Sequence, residues 1–205
     1  MTLNKTPLNK TCTEHGGRMV EFAGWELPIQ FSSVIDEHNS VRRNAGIFDI
    51  SHMGVFLIQG VNPKDALQNL VPSDLDRIGH GEACYTVLLN KSGGIIDDLI
   101  IYDLENQQEN MNKIMIVINA SCIESDITWL KKNLNGKGLE ISNAKSNKVL
   151  IALQGPESEN HLNQILGQKL VNIPKFGHKE VPIKINDECD SMFIARTGYT
   201  GEDGF

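Results

Sequence analysis

The chain has 205 residues, which is enough to bury a substantial core and to form one or two domains, and its 40% hydrophobic and 22% charged content is typical of a folded globular protein. A formal net charge of -7, with no run of Lys or Arg, argues against a general binder of nucleic acid or of anionic membranes. No apolar stretch has the length of a membrane helix or of a signal-peptide core, so we expect a cytoplasmic protein.

The cysteines and histidines give no sign of a metal site. Cys12, Cys84, Cys122 and Cys189 are far apart, and the chain has neither a Cys-x-x-Cys nor a His-x-x-x-His pattern. We therefore expect reduced thiols and no metal cofactor.

The first fifty residues are rich in turn residues, which predicts an irregular segment with one short strand near Arg18 to Phe22. Val34 to Ala45 has apolar residues at helical spacing, and Gly46 is a plausible residue to end that helix. The next residues, Ile47 to Gly54, mix apolar and polar side chains without a clear period.

The middle of the chain predicts a βα unit and then a hairpin. Val55 to Gln59 has the composition of a strand, and Pro63 to Leu70 that of a helix with proline at its first position. Tyr85 to Leu89 and Ile95 to Leu104 flank the polar loop Asn90 to Gly94, whose two glycines permit a tight turn.

The remaining elements continue this mixture. A strand at Ile114 to Ile118 precedes a helix from about Cys122 to Leu134, in which isoleucines and leucines line one face. Further short strands are predicted at Leu139 to Ser142, Val149 to Leu153, Glu180 to Ile185 and Met192 to Arg196, with a helix from Pro156 to about Leu166.

A hairpin at the centre of the chain favours an α+β fold over a doubly wound parallel sheet. We expect mixed and antiparallel sheets with helices packed on one side, in two β-containing halves. The polar stretch Asn143 to Asn147 suggests a boundary, with a first region at 1–145 and a second at 146–205.

Two adjacent acids begin the second strand of the hairpin. Because neighbouring strand residues point to opposite faces, Asp98 shares a face with Ile100 and Tyr102, whereas Asp97 lies on the other. An acid beside an aromatic ring suits a nitrogen-rich ligand that donates hydrogen bonds. The alternative is a turn carboxylate that accepts hydrogen bonds from nearby backbone N–H groups.

Two further side chains carry similar alternatives. Tyr85 opens the opposite strand, so its ring either lies near the Asp98 face or packs in the core. Asn119 ends a strand before a helix, where it serves either a ligand or the helix N-terminus as an N-cap.

Six segments occur in an order that resembles one family. They are Thr6-Pro7-Leu8, Phe22-Ala23-Gly24-Trp25, Phe48-Asp49-Ile50-Ser51-His52-Met53, Gly93-Gly94-Ile95-Ile96-Asp97-Asp98-Leu99, Ala152-Leu153-Gln154-Gly155-Pro156 and Gly198-Tyr199-Thr200-Gly201-Glu202-Asp203-Gly204. Together they resemble the N-terminal part of aminomethyltransferase, the T-protein of the glycine cleavage system, and they span nearly the whole chain.

The resemblance implies a folate-dependent enzyme. Its substrate would be the aminomethyl group on the reduced lipoyl arm of a partner, the H-protein, and tetrahydrofolate would take the one-carbon unit to give 5,10-methylenetetrahydrofolate and ammonia. The family's reaction needs no metal, and the resemblance implies no nucleic-acid or membrane partner.

The resemblance also implies roles for single residues. Asp98 matches the family's essential carboxylate near folate N5 and N10, where it would orient the pterin and assist proton movement. The residues that match the family's folate pocket are Met53, Tyr85, Tyr102, Asn119 and Tyr199, and Arg196 is a candidate cation for the folate anion.

In the family, the motif that matches Gly198 to Gly204 is followed by a pterin-binding Glu, by more of the second domain and by a C-terminal β-domain. On this resemblance we expect the chain to be a fragment that lacks measurable aminomethyl transfer and binds folate weakly. Two other readings stay open: the folate domain of a dimethylglycine or sarcosine dehydrogenase, and a non-catalytic folate-binding module.

Overall fold

A computed structural model of the chain describes residues 2–104, 111–146, 148–167, 173–185 and 188–205. The strands are β1 Asn4–Lys5, β2 Met19–Phe22, β3 Trp25–Pro28, β4 Gly46–Asp49, β5 Gly54–Gly60, β6 Ala83–Leu89, β7 Ile95–Leu104, β8 Asn112–Ile118, β9 Glu140–Asn143, β10 Ile151–Gln154, β11 His178–Ile185 and β12 Glu188–Ala195. The α-helices are α1 Asn9–Glu14, α2 Val34–Arg43, α3 Pro63–Gln68, α4 Ile123–Leu134 and α5 Ser158–Leu166.

The chain forms two compact units. The central unit is Met53–Lys148, and the split unit consists of the residues up to His52 together with Val149–Phe205. The split unit holds a three-stranded sheet in the order β1-β3-β2 and two strand pairs, whereas the central unit holds one five-stranded sheet. These mixed and antiparallel sheets with helices confirm the α+β class that the sequence predicts.

The central unit is an antiparallel sheet in the order β6-β7-β8-β5-β9. One face of this sheet packs against α3 and α4, and the core contains Leu99 and Ile116 from the strands with Leu67 and Leu130 from the helices. Alternate strand residues enter this core because the side-chain period of a strand is two. The opposite face of the sheet is therefore the one that carries Asp98.

The predicted hairpin is present, as β6 and β7, and its loop is fixed by one side chain. Asn90 Oδ1 accepts hydrogen bonds from the backbone N–H groups of Ser92 and Gly94, each at 2.9 Å. Gly93 has φ +79°, a value that glycine adopts readily. The register shifts at Leu88 and Leu89, so β7 has one extra residue close to the acids.

In the split unit, a strand from the N-terminal segment pairs with a strand from the C-terminal segment. β4 pairs antiparallel with β10 from Gly46 opposite Gln154 to Asp49 opposite Ile151. Gly46 is therefore the first residue of a strand, and helix α2 ends before it, at Arg43. A second, smaller core around Leu162 and Val181 packs α5 against β11 and β12.

These compact units differ from the two sequential regions that the sequence predicts, 1–145 and 146–205. The predicted boundary lies close to the junction after Lys148, although Asn147 itself is outside the described residues. The difference arises because β4 and β10 are distant in sequence and yet pair. The two sequential regions stay a prediction of domain organisation.

Candidate functional site

The ends of three neighbouring strands meet at one edge of the central sheet. Leu99 of β7 and Gly54 of β5 both lie opposite Ile118 of β8. Continuing that antiparallel register by one residue places Asn119 between Met53 and Asp98. Three of the residues that the sequence predicts for the site are thus brought into one row by strand pairing.

Asp98 presents a carboxylate whose two oxygens are both held by side chains. Its Oδ2 accepts a hydrogen bond of 3.0 Å from the Tyr85 hydroxyl, and its Oδ1 accepts one of 3.3 Å from Asn119 Nδ2. Asp98 is exposed, and in the part of the chain that the structure describes its carboxylate caps no backbone N–H group. The turn-carboxylate alternative is therefore wrong.

Asp97 points the other way, as strand alternation predicts. It is 8% exposed on the face that carries the core residues Leu99 and Ile101. Its Oδ1 accepts a hydrogen bond of 2.9 Å from Asn119 Nδ2, and its Oδ2 accepts one of 3.2 Å from the Asn119 backbone N–H. Asn119 thus hydrogen-bonds to both acids, although their side chains lie on opposite faces of β7.

Asn119 occupies the N-cap position of a short 3-10 helix, but its side chain makes no capping hydrogen bond there. Its Nδ2 instead donates to Asp97 and to both the backbone carbonyl and the carboxylate of Asp98. The N-cap interpretation of this side chain is wrong, and its role is to join the two acids.

The two tyrosines on this face differ in accessibility. Tyr85 lies opposite Ile100 and is 57% exposed, so the core alternative for its ring is wrong. Tyr102 lies on the same face, two residues after Ile100 in β7, and is only 5% exposed. The ring of Tyr85 is thus accessible from outside, whereas Tyr102 is buried.

Met53 stands at the start of the central unit. Its backbone carbonyl accepts a hydrogen bond of 2.5 Å from Lys145 Nζ, which fixes the chain just before β5. Its side chain is half-buried.

Tyr199 belongs to the split unit and is 66% exposed in the Gly-rich loop before Phe205. That loop is held by Gln154, which is buried at the end of β10. Gln154 Oε1 accepts hydrogen bonds from the Tyr199 backbone N–H at 2.8 Å and from the Thr200 hydroxyl at 3.3 Å. A buried amide therefore sets the conformation of the loop.

Arg196, the candidate cation, is engaged within the split unit. Its guanidinium hydrogen-bonds the carboxylate of Asp203, pairs with Glu159 at 3.0 Å and lies 5.2 Å from the centre of the Phe205 ring. The hydrogen bond to Asp203 raises the pKa of Arg196, and the same contact lowers the pKa of Asp203. This charge organises the loop, which weakens its candidacy as a folate cation.

The sequence analysis misses Asp126, a fully buried acid in the first turn of α4. Burial, together with contact with the Asp97 carboxyl, raises the pKa of Asp126 to about 7. One sequence feature does indicate that Asp126 is buried. It lies three residues after Ile123 and four before Leu130, on the apolar face of the helix. Gln154 belongs to one of the six segments, but its sequence context does not predict its role in the loop.

The described residues include no group of three or more His, Cys, Asp and Glu side chains arranged to hold a metal ion. Within the same ranges, no helix is both long and apolar enough to cross a membrane.

Comparison with known proteins shows the family. Residues 8–205 match the model of the GCVT N-terminal domain. The chain is 63% identical over its whole length to an aminomethyltransferase of Prochlorococcus marinus strain SARG, and 54% identical to one from strain MIT 9303 of that species. It spans 56% and 55% of those two relatives.

A solved structure gives the same result for the fold. The crystal structure of glycine cleavage system aminomethyltransferase T from Bartonella henselae superposes with a TM-score of 0.85 at 32% identity, over 98% of this chain and 52% of that one. The resemblance read from the six segments is thereby confirmed. The chain belongs to the GCVT N-terminal domain family.

Proposed function

We propose that this chain carries the reduced-folate site of an aminomethyltransferase of glycine cleavage. The one-carbon unit would come from the aminomethyl-dihydrolipoyl arm of an H-protein, and the products would be 5,10-methylenetetrahydrofolate and ammonia. The names of the relatives support the reaction class. The observation that carries the site is the exposed Asp98 carboxylate, held from two sides.

The geometry at Asp98 fits a ligand with N–H donors on a flat ring. A carboxylate has about four acceptor positions, and Tyr85 and Asn119 occupy one on each oxygen. The remaining positions are accessible because Asp98 is exposed. The exposed ring of Tyr85 beside them offers a surface on which a pterin can stack.

Each residue has a distinct role in this proposal. Bound tetrahydrofolate supplies the two nitrogens, N5 and N10, that take up the one-carbon unit. Asp98 accepts hydrogen bonds from the N–H groups of that ligand and, as a carboxylate, takes a proton released there. Tyr85 and Asn119 hold both Asp98 oxygens in place before the ligand arrives, so that binding costs little reordering of the carboxylate.

Met53, Tyr102 and Tyr199 remain predicted contributors to the folate pocket. Of these, Tyr199 offers exposed surface, whereas Tyr102 does not. The H-protein partner and the cytoplasmic location are likewise predictions. The alternative, a non-catalytic folate-binding module, would bind folate at the same site but would not catalyse the transfer.

Calorimetry with tetrahydrofolate tests the binding site. Asp98→Asn keeps the shape of the side chain and removes its charge, and hydrogen bonds to charged groups contribute about 1.5 to 3 kcal/mol, so affinity should fall roughly ten- to hundredfold. Asp65→Asn, an exposed acid in the first turn of α3, is the matched control and should bind as the unmodified chain does. Equal affinity in the Asp98→Asn and Asp65→Asn variants would refute the site.

The transfer step needs its own measurement. The unmodified chain and the Asp98→Asn variant are each mixed with H-protein carrying the aminomethyl group and with tetrahydrofolate, and ammonia release is followed. The resemblance leads us to expect no ammonia release above the background of H-protein alone. Release that Asp98→Asn abolishes would refute that expectation and support the site.

A further inference from the structure

A buried acid pair lies behind the proposed site. Asp97 lies on the core face of β7 and Asp126 in the first turn of α4. Burial is the main cause that raises the pKa of Asp126, and the nearby Asp97 carboxyl raises it further through hydrogen bonding and repulsion. Asp126 is fully buried and Asp97 almost so. Two carboxylates in such contact cannot both be ionised at low energetic cost, because burial and like charge each penalise the charged form.

Among the residues that the structure describes, the surroundings of the pair supply one hydroxyl and no cation. Ser125 Oγ donates a hydrogen bond of 3.3 Å to Asp126 Oδ1. Among the described residues, Asp126 Oδ2 receives no N–H or O–H donor, and no Lys or Arg pairs with either carboxyl. A proton held between the two carboxyls supplies a donor and removes the repulsion.

The pair is linked to Asp98 through Asn119. The Asp97 carboxylate accepts from both the backbone N–H and the Nδ2 of Asn119, and the same Nδ2 donates to Asp98. The position of the Asn119 amide therefore depends on where the Asp97 carboxylate lies. Asp97 is in turn positioned by its contact with Asp126.

We propose that Asp97 and Asp126 share one proton, and that this singly protonated pair positions the Asn119 amide, which holds the Asp98 carboxylate for the ligand. Asp126 is thus a positioning residue that acts through Asp97 and Asn119. The part of this inference that concerns ligand binding by Asp98 rests on the proposed function. The shared proton and the position of Asn119 are independent of it. Loss of the proton leaves two adjacent anions, which move apart and release the amide.

Within the described ranges, few other titratable groups lie near the pair. Cys122, at the start of α4, is close enough to Asp97 for a hydrogen bond, and burial is the main cause that raises the pKa of its thiol. On the far side of Asn119 lie Asp98 and then Tyr85. Measurements confined to pH 5 to 8.5 keep a thiol with a raised pKa largely protonated.

The first experiment follows the Asn119 side-chain amide by NMR in the 205-residue chain without any ligand. Its signals should shift through one titration between pH 5 and 8.5, and Asp126→Asn should abolish that step because the variant carries a permanent neutral donor. Ser125→Ala should move the midpoint upward, because the serine hydroxyl favours the charged form of Asp126. Glu124→Gln, an exposed charge change in the same helical turn, is the control and should leave the step in place.

An Asn119 signal that does not titrate, or a step that persists in Asp126→Asn, would overturn the proposal. If Asp126→Asn does not fold, carboxyl-carbon shifts of the two aspartates in the unmodified chain decide the question. One proton lost from the pair near neutral pH supports the inference, and two carboxylates already ionised at pH 5 overturn it.

The second experiment measures tetrahydrofolate affinity at pH 6 and pH 8.5. We expect about a tenfold weaker affinity at the higher pH in the unmodified chain, a change of about 1.4 kcal/mol, and little change in Asp126→Asn. Parallel pH dependence in both proteins would overturn the positioning role. Absence of folate binding at both pH values, with the Asn119 titration intact, would refute the proposed function and leave the shared proton standing.

Discussion

The Tyr85 hydroxyl donates a hydrogen bond of 3.0 Å to Asp98 Oδ2 from the neighbouring strand. Tyr85 lies opposite Ile100 and Val87 lies opposite Asp98, so the contact is a diagonal pair on one face of the sheet. The tyrosine side chain is long enough to reach across that diagonal. Adjacent strands thus fix the carboxylate, and the ring of the same tyrosine remains exposed beside it.

Replacing Tyr85 with phenylalanine should separate the hydroxyl from the ring. The variant keeps the aromatic surface and removes one hydrogen bond to a charged group, so we expect tetrahydrofolate affinity to fall about tenfold. The free energy of unfolding should change by less than about 0.5 kcal/mol, because the residue is largely exposed. Calorimetry and urea denaturation measure the two effects, and an unchanged affinity would show that the hydroxyl does not position Asp98.

The raised pKa of Asp126 predicts a definite dependence of stability on pH. Its ordinary value is 3.8 and its value in the folded chain is about 7. Between these values the folded state holds a proton that the unfolded state has released, so stability is full below about pH 4 and falls as pH rises towards 7. The loss approaches about 1.4 kcal/mol per pH unit and totals a few kcal/mol.

Asp126→Asn isolates this effect, since it cannot ionise and still donates to Asp97. The variant should match the unmodified chain near pH 4 and exceed it in stability by a few kcal/mol at pH 8, as measured by urea denaturation across the range. Glu124→Gln in the same turn is the control, and its difference from the unmodified chain should stay small at every pH. A constant difference between Asp126→Asn and the unmodified chain would contradict the raised pKa.

Strand periodicity accounts for the part of the site that the sequence could predict. The alternation at Asp97 and Asp98 depends only on backbone geometry, and the structure confirms it. The Asn90–Gly94 loop likewise marks the hairpin, which places Tyr85 near Asp98. Local patterns of this kind are visible in sequence because the residues that cause them are adjacent.

Other features depend on tertiary contacts or on unusual turn residues. The β2–β3 hairpin turns at Ala23, with φ +50°, and Gly24, with φ +79°. Alanine is rare in that conformation, so the sequence does not indicate this turn. β4 becomes a strand because it pairs with β10, which is distant in sequence. The Asp97–Asp126 contact joins a strand to a helix, so no spacing in the sequence reveals it.

The close approach of Gly204 to β10 predicts that this glycine tolerates no side chain. A Cβ at Gly204 would lie 2.4 Å from Gln154 Nε2 and 2.7 Å from the Leu153 carbonyl oxygen. Gly204→Ala should therefore lower the free energy of unfolding by about 1 to 3 kcal/mol through overpacking. Gly79→Ala is the control, since its Cβ would meet only Glu82 Oε2 at 3.7 Å. Equal stability of the two variants, measured by thermal unfolding, would refute the close approach.

Gln154 predicts how the loop that carries Tyr199 is held. Gln154→Met preserves most of the side-chain volume but removes the oxygen that accepts from the Tyr199 backbone N–H and the Thr200 hydroxyl. The stability cost should be about 1 to 3 kcal/mol, because a backbone donor loses its partner, and the Tyr199 amide should exchange with solvent more than tenfold faster. Hydrogen exchange followed by NMR measures the exchange rate of this amide directly.

Gln154→Glu is the control for this prediction. Its carboxylate keeps the acceptor and should protect the Tyr199 amide even if the buried charge lowers overall stability. If Gln154→Met leaves that amide as protected as before, other contacts must hold the loop, such as the backbone hydrogen bonds of Leu153 to Phe205 and of Gly155 to Asp203.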